Sequence, residues 1–96
     1  MFYTVPSALY DLLLARLTDA IGDGSYFSGV LTFDFDTCSC LLRASLIVCR
    51  RTEQLPEGSF RVIDDLLPVW WEFHTASADA GELLNDFSFD EVRQRL

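Results

Sequence analysis

The sequence predicts one α+β domain: an N-terminal helix, a three- to four-stranded antiparallel meander and a short C-terminal helix, with the helices packed on the sheet. Three observations carry this. Apolar residues recur at helical spacing between Pro6 and Ile21, the period changes to two after Tyr26, and a helix-start signature stands at Ser88. A chain of 96 residues has room for one core, so residues 1–96 are read as a single domain.

The first helix rests on Leu9, Leu13, Leu17 and Ile21, four residues apart, with Tyr10, Leu12 and Leu14 widening the stripe. Asp11, Arg16 and Asp19 fall outside it. Pro6 suits the first turn, where its missing N–H costs little. Gly22-Asp23-Gly24 ends the helix, because glycine adopts the left-handed conformation that helix termini use.

From Tyr26 the alternation is that of a strand. Phe27, Gly29, Leu31, Phe33 and Phe35 share one face, and Ser28, Val30, Thr32 and Asp34 the other. Cys40 to Arg51 reads as the returning strand, with Leu42, Ala44, Leu46 and Val48 on one face. A reversal over residues 36–39 would set Phe35 opposite Cys40, Phe33 opposite Leu42 and Leu31 opposite Ala44, so that the apolar faces coincide. The first helix is expected on that face. The opposite face is half apolar, which suggests that something covers part of it.

Thr52 to Gly58 reads as a loop punctuated by proline and glycine. Beyond it Phe60 and Val62 alternate on even positions, and Leu67, Val69, Trp71 and Phe73 on odd ones. The change of parity near Asp64-Asp65 predicts a bulge or a break. Pro68 lacks a ladder donor, which places its strand at an edge or starts it there. Residues 76–81 read as a loop and residues 82–86 as a short extended piece. Ser88 and Glu91 have the spacing of a capping box, flanked by Phe87 and Val92 as a hydrophobic staple.

Composition narrows function. The net charge is −8, from fifteen acidic residues and seven arginines, with no lysine. A field of that sign opposes direct nucleic-acid binding and adsorption to anionic membranes. No apolar run approaches the ~20 residues of a membrane span, and the N-terminus lacks a secretion signal. Three cysteines, an odd number, read as reduced thiols of a cytoplasmic protein.

Candidate chemistry is sparse. Cys38, Cys40 and Cys49 with His74 are metal-ligand residue types, but the hairpin register turns Cys40 and Cys49 to opposite faces, which leaves structural thiols as the reading. His74 shares its parity with Trp70 and Glu72, on the outer face, with Cys49 as a possible neighbour for a Cys–His site. Asp34 and Asp36 share a strand face, and Asp34 sits diagonal to Arg43. With Asp64, Asp65 and Glu72 they form a set of carboxylates at turns and bulges, read as a solvated rim. No calcium loop or phosphate loop is present, and no cofactor or metal is expected.

Val69-Trp70-Trp71-Glu72-Phe73 carries the functional hint. Adjacent tryptophans on a strand point to opposite faces. With Trp71 and Phe73 in the core, Trp70 joins Tyr26, Val30, Leu41 and Ile47 on the outer face as a candidate binding surface. The expectation is a non-enzymatic module that binds a protein partner or itself, as a homodimer. Two alternatives stand: an acidic decoy or inhibitor of a basic or nucleic-acid-binding protein, and a small enzyme or metal protein using His74.

Overall fold

The computed structural model describes residues 2–96, and the helical stripe of the sequence becomes α1, Ser7–Ile21. Leu9, Tyr10, Leu13, Leu17 and Ile21 are all buried, at the spacing that puts them on one face. Gly22 follows with φ 58°, and its N–H closes the last turn on the Thr18 carbonyl at 3.1 Å. Arg50 then donates to the carbonyls of Gly22 (2.7 Å) and Gly24 (2.8 Å), so a cation meets the negative end of the helix.

A short β1, Phe2–Tyr3, precedes α1. After it come β2 (Tyr26–Phe35), β3 (Cys38–Leu55), β4 (Gly58–Ser77), β5 (Gly81–Asn85) and α2 (Phe89–Arg93). The strands form one sheet in the order β1-β5-β4-β3-β2. The α+β class and the helix–sheet–helix order stand. The sheet has five strands, one more than the meander allowed for, and β1 runs parallel to β5 (Phe2↔Leu84, Tyr3↔Asn85). A two-residue strand has too little pattern to be read from sequence, and long-range pairing alone creates it.

The β2–β3 register differs from the expected one by two residues. Phe35 pairs with Cys38, Phe33 with Cys40 and Leu31 with Leu42, because the reversal needs only Asp36 and Thr37. Asp36 takes φ 55°, a left-handed conformation that aspartate tolerates better than most residues. A slip of two keeps every side chain on its face. Cys38, Cys40, Leu42, Ala44, Leu46 and Val48 accordingly line the buried side with Phe33.

Residues 52–55 are strand rather than loop. β3 and β4 stay paired from Arg50↔Ile63 to Leu55↔Gly58, and Pro56-Glu57 makes the turn. This hairpin projects as an arm in which residues 51–61 are all exposed, and it accounts for the long dimension of a molecule measuring 51 × 25 × 18 Å. Two bulges lie in β4 below the arm. Asp64 is the extra residue between the Cys49↔Asp65 and Arg50↔Ile63 pairs, as the parity change suggested. Val69 is the extra residue between Ser45↔Trp70 and Leu46↔Pro68. This second bulge breaks the odd-numbered alternation that had set Leu67 and Val69 on one face with Trp71 and Phe73. Leu66 is fully buried opposite Val48, Leu67 faces outward opposite Ile47, and Val69 is exposed. β4 runs unbroken through Pro68, and its paired contact with β5 is confined to residues 75–77. The missing N–H therefore falls on a stretch with one open side.

Both helices pack on the same side of the sheet. Phe89 and Val92 of α2 join the α1 residues over Leu42, Leu46, Leu66 and Phe73. Phe87 stacks between Tyr10 (5.3 Å between ring centroids) and Phe73 (4.1 Å). Trp71 meets its edge at 5.3 Å and closes this corner half-exposed rather than buried. Phe87 and Val92 are buried as a staple would have them, but Ser88 makes no side-chain cap. Its N–H, which the capping box would give to Glu91, donates instead to the Tyr10 hydroxyl at 3.0 Å.

Candidate functional site

With both helices on one side, the other face of the sheet is left open by the described residues. Its side chains fall into rungs across β2, β3 and β4 that can be read from the strand pairing. From the arm end these are Tyr26–Ile47–Leu67, Ser28–Ser45–Trp70, Val30–Arg43–Glu72, Thr32–Leu41–His74 and Asp34–Ser39–Ala76. Tyr26 is 56% exposed, Val30 50%, and Ile47 and Trp70 each 46%. The first rung is apolar across all three strands. Trp70 stands on the next, beside the Ser28–Ser45 hydroxyl pair at 3.0 Å.

Of the five residues expected to form one surface, Tyr26, Ile47 and Trp70 come together at the arm end. Val30 flanks them on β2. Leu41 is separated from Trp70 by the rung that holds the Arg43–Glu72 ion pair at 3.0 Å. That pairing also replaces the expected Asp34–Arg43 contact. Leu41 is partly buried and belongs to a concavity of about 520 Å³ at the far end, bordered by Thr32, Asp34, His74 and Glu82.

At that end His74 lies between two carboxylates. Its Nδ1 is 2.9 Å from Glu82 Oε1 and its Nε2 is 3.5 Å from Glu72 Oε2. A neutral imidazole carries one N–H and donates to one of them; the charged ring donates to both. All three side chains are substantially exposed, so water screens the pairs. His74 pairs with Leu41 and Cys49 with Asp65, eight residues further along β3, or about 27 Å at the rise of a strand. The expected Cys49–His74 neighbourhood is therefore absent. Among the described residues no three His, Cys, Asp or Glu side chains converge as metal ligands.

The cysteines separate by face. Cys38 and Cys40 are buried under the helices, and Cys49 is half-buried on the outer side. Burial pushes the Cys40 thiol up to about 11, with Cys38 and Asp34 adding to the effect, so it stays protonated and unreactive near neutrality. Asp36 sits in the β2–β3 turn and does not share a strand face with Asp34. Asp64 pairs with Arg51 at 3.1 Å. Asp65 takes two hydrogen bonds from Arg93 (3.0 and 2.8 Å) and one from the Leu66 N–H (2.8 Å). The Arg93 hydrogen bonds above all hold its carboxyl below the usual range. Acidic side chains also lie on α1 (Asp11, Asp19), on the arm (Glu53, Glu57) and on α2 (Asp90, Glu91), so no one face collects them.

Sequence reasoning missed Leu67, which the Val69 bulge turns outward, and it missed the arm. The outer side of the arm continues the same face of the ladder with Arg51–Val62, Glu53–Phe60 and Leu55–Gly58. Phe60 and Leu55 are exposed there. The signal was present in Arg51, Glu53 and Leu55 on one strand and Phe60 and Val62 on the other, but Pro56 and Gly58 drew the loop too wide. No known family model, curated protein or solved structure matches this chain.

Proposed function

We propose that this chain is a non-enzymatic interaction module, cytoplasmic, that self-associates through the open face of its sheet. One observation carries the reading: Tyr26, Ile47, Leu67 and Trp70 form a contiguous apolar cluster that no described element of the chain covers. Single exposed apolar residues are ordinary, but a cluster spanning three strands marks an association surface more often than not. Tryptophan and tyrosine are also the residue types that carry most of the energy at protein interfaces. The reduced thiols fit the compartment, and no helix among the described residues is long and apolar enough to cross a membrane.

Light scattering on a chromatographic column tests it. The wild-type chain should give a dimer mass that falls toward the monomer on dilution, and Trp70→Ala should give the monomer at concentrations where the wild type is paired. A wild type that stays monomeric at high concentration would remove the reading.

A further inference from the structure

We infer that the free edge of β2 takes an extended segment of a partner protein, paired antiparallel, with a basic residue beside Asp34. The contact lies at the rim of the sheet rather than on its open face, so it does not depend on the self-association proposed above.

Backbone geometry leads to the edge. β2 ends the strand order, and β3 is its one strand partner among the described residues. The reversal closes on the Phe35↔Cys38 pair, and at the other end of the hairpin the Val48 N–H donates to the Ser25 carbonyl at 2.9 Å. In an antiparallel ladder both backbone groups of a residue point the same way, and the direction alternates along the strand. The odd-numbered residues of β2 therefore bond to β3, and Tyr26, Ser28, Val30, Thr32 and Asp34 aim their N–H and C=O groups away from the sheet. All five residues are exposed.

Open edges invite pairing, and proteins blunt them with proline, charge or bulges. The other long open edge is blunted: β4, ahead of its pairing with β5, carries Pro68, two bulges and the Asp64 and Asp65 carboxylates. β2 has none of these devices before Asp34. Its ten pairs with β3 run without a register shift, and it holds no proline, lysine or arginine. An incoming strand would also cover Phe27, Leu31 and Phe35, which the helices leave half-buried. Antiparallel pairing suits the edge, because it lets each even-numbered residue exchange both of its bonds with one residue of the partner.

Charge identifies the occupant. Asp34 stands on the rung Asp34–Ser39–Ala76–Glu82, where the edge meets the concavity of about 520 Å³. The lining of that concavity holds two carboxylates and His74, with no arginine or lysine. Arg43, on a neighbouring rung, is engaged by Glu72 at 3.0 Å. A lysine or arginine on the incoming strand opposite Asp34 lies one strand spacing, about 4.8 Å, from β2. Its side chain reaches the Asp34 carboxylate and continues over Ser39 into the concavity. A second β2 has no cation to place there and would add Asp34 and Asp36 of its own.

A capped nine-residue peptide alternating valine and threonine, with arginine first, tests this on the full chain in dilute solution. Amide exchange followed by NMR should show Ser28, Val30, Thr32 and Asp34 protected when the peptide is added, and Trp70 unchanged. The same peptide with glutamate first should bind at least tenfold more weakly. Val30→Pro deletes one outward N–H and no bond to β3, a change that edge strands tolerate. It should keep the fold and weaken the peptide at least tenfold, since a peptide carbonyl is left unpaired. Asp34→Lys, which keeps every backbone bond, should reverse the preference between the two peptides. Those four amides exchanging freely in the presence of the peptide would overturn the edge site, and equal binding of the two peptides would overturn the basic partner. Protection of the same amides that grows with protein concentration and needs no peptide gives the edge to a second copy, and the proposal falls. None of these results bears on the open face, which the Trp70→Ala measurement tests separately.

Discussion

Replacing Leu66 with alanine and, separately, Leu67 with alanine reads the position of the Val69 bulge. Without that bulge the strand alternation would put Leu67 under the helices with Trp71 and Phe73 and turn Leu66 outward. With it, Leu66 is 0% exposed opposite Val48, and Leu67 is 38% exposed opposite Ile47. A fully buried leucine cut to alanine loses its transfer free energy and leaves a cavity, together about 3 kcal/mol. Leu67, already partly in water, should cost about 1 kcal/mol or less. In a domain of this size each kcal/mol moves the melting midpoint by about 4–8 °C, so Leu66→Ala should fall by roughly 12–24 °C. Against a total stability of about 5–14 kcal/mol that is a large fraction. Urea unfolding followed by the fluorescence of Trp70 and Trp71, in dilute solution where association is absent, gives both numbers, and an unchanged slope shows that the unfolded state is not involved. If Leu67→Ala is the more costly variant, the bulge is misplaced, and the apolar rung assigned to the outer face loses its third member.

Two further outcomes follow from individual contacts. Tyr10→Phe removes the hydroxyl that accepts the Ser88 N–H and should cost about 1–2 kcal/mol in thermal unfolding; an unchanged midpoint would mean that Glu91 caps Ser88 after all. Asp65 has its folded-state value lowered below 3.8 by Arg93, so the unfolded chain takes up the proton first as pH falls. The stabilisation it brings is therefore present above about pH 4 and lost as pH drops through the folded value. Asp65→Asn should flatten that part of the stability–pH curve, and a curve as steep as the wild type would remove Asp65 from the acid response.

Much of the fold can be read from residue order because the relevant signals are local and periodic. Leu9, Leu13 and Leu17 need only the pitch of a helix to define the buried stripe of α1. The two faces of β2 and β3 follow from alternation alone, and they survive a reversal two residues tighter than expected because the side-chain period is also two. Tyr26, Ile47 and Trp70 are assigned to the outer face on the same ground. Parity cannot reveal a bulge whose flanking residues are all apolar. Leu66, Leu67, Val69, Trp70 and Trp71 fit either face, so the extra residue at Val69 leaves no mark, whereas the Asp64 bulge interrupts the alternation with charge and is visible. Contacts between distant segments leave still less. Nothing in Phe2-Tyr3 announces a parallel partner at Leu84-Asn85, and nothing in Ser88-Phe89-Asp90-Glu91 announces that Tyr10, 78 residues away, will take the N–H that the capping box would use.

Sequence by itself determined the class, the first helix, the two faces of the central hairpin and the separation of Cys40 from Cys49, each through a repeat of two or of about 3.6 residues. Tertiary structure decided that both helices share one side, that the β3–β4 ribbon runs on as an arm, and that Leu67 rather than Leu66 meets the water. Those outcomes depend on which pairs of segments bury the most apolar surface together, and that choice is made between parts of the chain that local order does not connect.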